Sequence, residues 1–433
     1  MPLPLSLPLT VIITGVFAGT YALILSDRFH KPSAAILGAT LMVGTGVLKS
    51  TDIIGAINWT ALGVLLGMFI IASSLREAGF FEWIGLHLAR SVDAHPIMMY
   101  ILLPLMTAGM ASLLDIVTVA LFVVPLTVQV LDGLEIDPVP FVVAEVLAAN
   151  IGGVATMVGD PTNIIVGSSL GLSFNEFLLN TAPTALAILG LNLLILYARN
   201  HRFLHREAAL KHSKNNGLLL RNPRELVRDS GLLRVSLVSL LLAVAFLVAH
   251  QALDVSPALA TLLPASVILV YESSRSSEVK HVLSRINWEV FFFFGGLFLL
   301  VAGLEKTGLL ASAGGEMVQA SGGSAALAVT LVLWSTALLS QIVDNVPLVT
   351  VFVPVVSVMH TTGLPLLPLA WALALGAGIG GMATPIGTAS NVVALSILNK
   401  DRKRLGFGKF AKRSIPLTIL DLAIANVILL LRL

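Results

Sequence analysis

Ile151-Gly-Gly-Val-Ala-Thr-Met-Val-Gly-Asp-Pro-Thr-Asn163 decides the fold, because the chain contains it twice. Ile379-Gly-Gly-Met-Ala-Thr-Pro-Ile-Gly-Thr-Ala-Ser-Asn391 repeats it in the second half, with Gly, Gly, Ala, Thr, Gly and Asn in register. Gly152, Gly153, Gly159 and Pro161 interrupt the first copy, and Gly380, Gly381, Pro385 and Gly387 the second. Glycine weakens a helix, and proline removes a donor and clashes with the preceding turn. Each copy therefore predicts a helix broken in its middle. Matching interruptions in two halves of an apolar chain point to a transporter's binding region.

The spacing holds further out. Ile57-Asn58-Trp59 recurs as Ile286-Asn287-Trp288, and Gly67 and Gly79 recur as Gly296 and Gly308, all at one constant offset. Asp115-Ile116-Val117 with Pro125 becomes Asp344-Asn345-Val346 with Pro354 at the same offset. Apolar residues match by chance in an apolar chain, but polar ones holding one spacing over separate blocks indicate a duplication. The reading divides the chain into a first repeat (1–198), a basic linker (199–231) and a second repeat (232–433).

The 433 residues are 56% hydrophobic and only 12% charged, with a mean hydropathy of +0.94. A soluble domain carries about 25% charged residues, so this chain cannot cover its surface with polar groups and must face lipid. A span needs about 20 apolar residues. Segments near 8–25, 33–49, 58–75, 180–198, 232–250, 257–271, 288–304 and 414–431 qualify, with broken spans at 139–169 and 366–398 and hairpins at 96–132 and 324–361. The expected fold is an all-α polytopic membrane protein of two inverted repeats, with about ten transmembrane helices, two re-entrant hairpins and two broken helices.

Charge gives the inversion. The turn after the first Asn block, Gly171-Leu-Ser-Phe-Asn-Glu-Phe177, has no Lys or Arg, whereas its counterpart holds Lys400, Arg402, Lys403, Arg404, Lys409, Lys412 and Arg413. Basic loops stay cytoplasmic, so equivalent turns lie on opposite faces. Arg199, Arg202, Arg206, Lys211, Lys214, Arg221, Arg224, Arg228 and Arg234 make the linker cytoplasmic; their role is topogenic and no nucleic acid is implied. Arg28, Lys31, Arg275, Lys280 and Arg285 fall on the same side, which puts both termini in the periplasm of a bacterial inner membrane. No basic residue precedes the first apolar run, so that run reads as a retained span.

Asp115, Glu145, Asp160 and Asp344 stand inside apolar stretches. A charge at the centre of a membrane helix costs roughly 2.5–3.5 kcal/mol on insertion scales, and such residues line cavities and pathways. Asp115 and Asp344 each break a run about halfway, as a re-entrant tip does, and irregular backbone at that depth must line a cavity or be buried in protein. Asp115, Asp344 and Asp160 are the expected proton-coupling residues, since burial without a cation disfavours the ionised form. Ser112, Thr118, Asn150, Thr156, Thr162, Asn163, Asn345, Thr384, Thr388, Ser390 and Asn391 are the expected substrate-binding oxygens and amides. Glu145 and Asp421 rank lower. With no Lys or Arg inside these stretches, the reading is that a multivalent anion lacks a fixed counter-charge and that a cation, a proton or a neutral solute fits better.

The absence of cysteine excludes thiolate capture. No His/Glu metal motif or phosphate-binding loop occurs, so no metal, cofactor or enzymatic activity is expected. The Gly-x-Gly-Asp of presenilin-type proteases is also missing, since Met157-Val158 precede Gly159-Asp160.

Gly159-Asp160-Pro161-Thr162-Asn163, Asp344-Asn345-Val346-Pro347 and Ser390-Asn391-Val392-Val393 resemble the ion transporter superfamily over nearly the whole chain, in particular the ArsB-type arsenite permeases, the NhaD-type antiporters and the P protein. The resemblance implies a scaffold domain and a transport domain, and proton-coupled efflux of arsenite or antimonite, with an ATPase subunit admitted as a partner. Near neutral pH arsenite is an uncharged trihydroxide, for which oxygen and amide ligands suffice. Sodium/proton antiport and organic-anion carriage are the alternatives. The superfamily's dicarboxylate carriers show Ser-Asn-Thr at the hairpin tips where this chain has Asp, and enteric arsenite permeases show Asn-Asp-Gly where Leu114-Asp115-Ile116 stands.

Overall fold

The computed structural model describes residues 7–26, 28–210, 222–275, 284, 286–400 and 405–433. The readings placed on Lys211, Lys214, Arg221, Lys280, Arg285, Arg402, Lys403 and Arg404 lie outside the described residues. Among the described residues there are nineteen α-helices, one 3-10 turn, Pro223–Leu226, and no strand. The first half holds α1 (Leu7–Leu25), α2 (Lys31–Gly44), α3 (Ser50–Ala56), α4 (Trp59–Glu77), α5 (Phe80–Ser91), α6 (Pro96–Ala111), α7 (Ile116–Asp132), α8 (Val139–Gly153), α9 (Pro161–Leu170) and α10 (Phe174–Ala209). The second holds α11 (Ser230–Ala249), α12 (Pro257–Arg275), α13 (Trp288–Glu305), α14 (Leu309–Ala320), α15 (Ala325–Ser340), α16 (Asn345–Thr361), α17 (Leu366–Gly381), α18 (Ala389–Lys400) and α19 (Phe407–Leu430).

Among the described residues seven helices are long and apolar enough to cross a membrane: α1, α4, α10, α11, α12, α13 and α19. The shorter apolar helices α6 to α8 and α15 to α17 are the arms of the hairpins and the first halves of the broken spans. The sequence missed two elements. Helices α3 and α14 are too short to register as spans, and α14 is the counterpart of the interfacial helix α5. Both α5 and α14 follow a left-handed glycine, Gly79 at φ +82° and Gly308 at φ +79°, a backbone conformation glycine adopts without penalty. Helix α10 also starts earlier and runs further than the apolar stretch implies. A Ser173/Glu176 capping box opens it, and its last turns carry the linker residues 199–209.

The halves interlock. Helix α4 packs on α12 and α13 packs on α2, each pair joining the two halves. The equivalent glycines Gly67 and Gly296 sit at these crossings. A Cβ on Gly67 would stand 2.6 Å from Thr261, and one on Gly296 2.8 Å from Ala35. Small residues let membrane helices approach this closely. Helices α10 and α19 are also equivalents. The Asn180 carbonyl accepts from Arg432 at 2.8 Å, and Asn192 donates to Asp421 at 2.8 Å. Low numbers on one helix meet high numbers on the other, so the two run antiparallel. Asn192 and Asp421 also stand at the offset of the repeat, so this pair joins two equivalent positions where the halves meet.

Candidate functional site

Four half-helices begin at one cavity of about 380 Å³. They are α7, α9, α16 and α18. Helix starts leave backbone N–H groups unpaired and carry partial positive charge, and three of these starts are capped by an acid. Asp115 caps α7, accepting from Thr118 N at 2.8 Å and Thr118 Oγ1 at 3.0 Å. Asp160 caps α9, accepting from Thr162 N at 2.8 Å and Thr162 Oγ1 at 2.7 Å on one oxygen, while Asn345 Nδ2 donates to the other at 3.1 Å. Asp344 caps α16, accepting from Val346 N at 3.3 Å. Helix α18 has no acid in its first turn. All three capping acids line the cavity, together with Glu289.

The two halves build this cavity jointly, because α9 packs on α16 and α18 packs on α7. Each broken helix is then locked from behind by the same device. Asn163 Nδ2 donates to Gly153 O at 3.1 Å and Thr156 O at 2.8 Å, and Asn391 Nδ2 donates to Gly381 O at 3.1 Å and Thr384 O at 2.8 Å. Thr156 and Thr384 donate to the carbonyls of Ser112 and Gln341 at the hairpin tips. The amides thus meet carbonyls that the helix break leaves without partners, an unpaired buried group costing about 1–3 kcal/mol. Asn150 Nδ2 donates to Asn391 Oδ1 at 2.9 Å and joins the two broken helices.

The expected binding residues therefore divide. Asp115, Thr118, Asp160, Asp344 and Asn345 line the cavity. Ser112, Asn150, Thr156, Thr162, Asn163, Thr384, Thr388, Ser390 and Asn391 do not; those in the broken helices shape the walls through internal hydrogen bonds. Glu145 also lies away from it, buried and accepting from Thr127 at 2.6 Å, as does Asp421 with Asn192.

One expectation is overturned. The central acids were to have no fixed counter-charge, yet Lys31 Nζ lies 3.1 Å from Asp344 Oδ2, and Arg76, stacked 5.7 Å over the Phe122 ring, stands in the cavity wall. Both cations stand at helix ends, Lys31 at the first residue of α2 and Arg76 in the last turn of α4. Sequence position assigned Lys31 to a topogenic turn, and the broken helices bring the hairpin tip to that turn. A signal did exist. Pro347 takes the place of Thr118 in the second half, where a proline supplies neither the hydroxyl nor the amide proton, so Asp344 must find a donor elsewhere.

The sequence profile of the family described as citrate transporter (CitMHS) matches residues 21–376. The chain belongs to this family, within the ion transporter superfamily. An uncharacterized transporter of Mycobacterium tuberculosis is 37% identical over 98% of this chain and 99% of its own length. The human P protein is 27% identical over 97% of this chain and 59% of its own. Among solved structures, the YdaH transporter of Alcanivorax borkumensis, reported to have an unusual topology, superposes with a TM-score of 0.60 at 17% identity over 88% of this chain and 89% of that one. This citrate transporter family member is a multi-pass membrane transporter, and the likeness to YdaH extends to the fold.

Proposed function

We propose that the chain is a secondary active transporter in which protons bound at Asp115, Asp160 and Asp344 are coupled to the movement of a small organic anion. The charge inventory of the cavity carries the reading: Asp115, Asp160, Asp344 and Glu289 share the lining with Lys31 and Arg76 around the starts of four half-helices. Half-helix N-termini in transporters point at anionic groups, and here three are offset by ionised acids. Each proton taken up moves the balance by one charge towards accepting an anion, so anion and proton bind together. The family's description as citrate transporters supports the same solute class. In this reading residues 1–198 and 232–433 are the inverted repeats, the linker 199–231 is cytoplasmic, both termini are periplasmic in a bacterial inner membrane, and no ATPase subunit is required.

The resemblance to arsenite permeases supports a second solute. Arsenite or antimonite, as uncharged trihydroxides, would find partners in Thr118, Asn345 and the acids and would exchange for protons. Proteoliposomes holding the full chain under an imposed pH gradient separate the readings. Counterflow of citrate that dissipates the gradient is the expected outcome. Arsenite counterflow without citrate counterflow would install the metalloid reading, sodium alone dissipating the gradient would install sodium/proton antiport, and no dissipation by any of the three would sink proton coupling.

A further inference from the structure

Asp421 stands inside the apolar helix α19, away from the cavity. Asp421 and Asn192 of α10 are 0% and 1% exposed, and they hold equivalent positions in the last helices of the two halves. One hydrogen bond joins them, from Asn192 Nδ2 to Asp421 Oδ2 at 2.8 Å. Two atoms are left over. Asp421 Oδ1 and Asn192 Oδ1 are both buried and have no hydrogen-bond partner among the described residues. An ionised carboxylate and an amide oxygen can only accept, so neither can serve the other. We propose that Asp421 and Asn192 form a proton-binding site outside the cavity, in which a proton held on Asp421 Oδ1 is donated to Asn192 Oδ1 and closes a ring of two hydrogen bonds between the halves.

The surroundings suit a neutral acid. Helices α10, α15 and α17 pack on α19, and α15 and α17 carry no titratable residue. The nearest cations along the pair's own helices, Arg199 on α10 and Arg413 on α19, are about two turns away. Of the other helices packed on α10, α8 contributes Glu145, engaged by Thr127, and α6 contributes Tyr100, engaged by Asn200. Helix α11 contributes Arg234, near its start. An anion between α10 and α19 would therefore have no adjacent counter-charge, and a buried charge without a partner is costly. As a neutral acid, Asp421 offers one donor and one acceptor, the complement of an amide. The carboxylate takes its proton from water, no other covalent bond changes, and both leftover atoms are satisfied at once. The ring fastens the last helix of one half to the last helix of the other, independently of the hairpin tips.

The test uses the full chain in detergent. Asp421→Asn supplies a donor and an acceptor without a titrating proton, so it keeps the ring at every pH. The infrared difference between wild type and Asp421→Asn at neutral pH should contain the C=O stretch of a protonated carboxyl, displaced on transfer to deuterium oxide. The gap between their melting temperatures should widen as pH rises above about 4, where an unfolded Asp ionises. Wild type should fall relative to the variant, because its folding must then take up a proton that the variant does not need. Asp421→Leu strands the Asn192 amide and should melt below wild type in acid. The double variant Asn192→Leu with Asp421→Leu removes both polar partners and should recover most of that loss. A carboxylate band alone in the difference spectrum, or melting temperatures that run parallel across pH, would overturn the inference.

Discussion

The two hairpin tips occupy the same place in the repeat, yet they are held differently. Asp115 is satisfied within its own turn by Thr118, whereas Asp344, its equivalent in the second half, reaches out to Lys31 on the scaffold. One substitution accounts for the difference. Pro347 at the Thr118 position deletes two local donors, which leaves an oxygen of Asp344 open to a partner from another element. A duplicated site thus acquires two kinds of acid from one backbone plan: one locally capped, one tied to the start of α2. The comparison assigns attachment to the second tip and local capping to the first.

The largest effects should come from the acids themselves. Asp115→Ala and Asp344→Ala are both expected to bring proton-coupled counterflow to background while leaving membrane insertion intact. With spin labels on Ile12→Cys of α1 and Ile342→Cys of the second tip, both exposed positions, the tips should then part company: Asp344→Ala lengthens the distance and Asp115→Ala does not. Equal release by both would erase the distinction drawn here, and wild-type flux in both would remove the acids from the mechanism. A smaller effect is expected from Pro347→Thr, which gives Asp344 the local donors of the first tip. It should loosen the second tip only in part, because Lys31 then competes with a hydroxyl and an amide for Asp344.

Next come the broken helices, where both halves use glycine at points of backbone contact. A Cβ on Gly159 would stand 2.6 Å from the carbonyls of Ala111 and Gly153, and one on Gly387 2.3 Å from Gly381 O. Overpacking of this kind costs about 1–3 kcal/mol, so Gly159→Ala and Gly387→Ala should both lower the melting temperature in detergent. Asn391→Ala should cost more than Asn163→Ala, because Asn391 also accepts from Asn150 and so ties one half to the other. Equal melting temperatures for the two Asn variants would show that the Asn150 bond contributes nothing.

Much of this was legible in the sequence for a physical reason. A polar or glycine residue at membrane depth is costly, so its recurrence at one spacing reports function and symmetry together. The recurring blocks, the helix breaks and the three capping acids were all readable on that basis, whereas Glu289, the fourth acid of the cavity, was not. Short helices such as α3 and α14 were not, because no span-length apolar run marks them. Lys31 and Arg76 were not either, since a cation at a helix end looks the same whether it faces water or a hairpin tip. The Thr and Asn residues of the repeat blocks do lie beside the helix breaks. Side-chain type alone could not tell a cavity ligand from a partner for an orphaned carbonyl, and the structure gives most of them the second task.

The smallest effect belongs to a tie at the scaffold's edge, far from the tips. Lys306, following α13, donates to Asp52 on α3 at 3.1 Å, and that hydrogen bond holds the Asp52 carboxyl below the usual carboxylate range. A carboxyl depressed in the folded state contributes its stability in full above the unfolded value, about pH 4, and loses it as pH falls through the folded value. Asp52→Asn should therefore lower the melting temperature slightly at neutral pH. The gap should close in acid, and it should shrink in high salt, since exposed pairs are weak and screened. A gap that persists in acid would mean that Asp52 holds α3 by packing or capping instead of charge. Because this pair touches neither hairpin tip, the same substitution should leave the Ile12–Ile342 distance unchanged. A shift in that distance would show that the scaffold's outer edge helps to hold the second tip, so that Lys31 does not act alone.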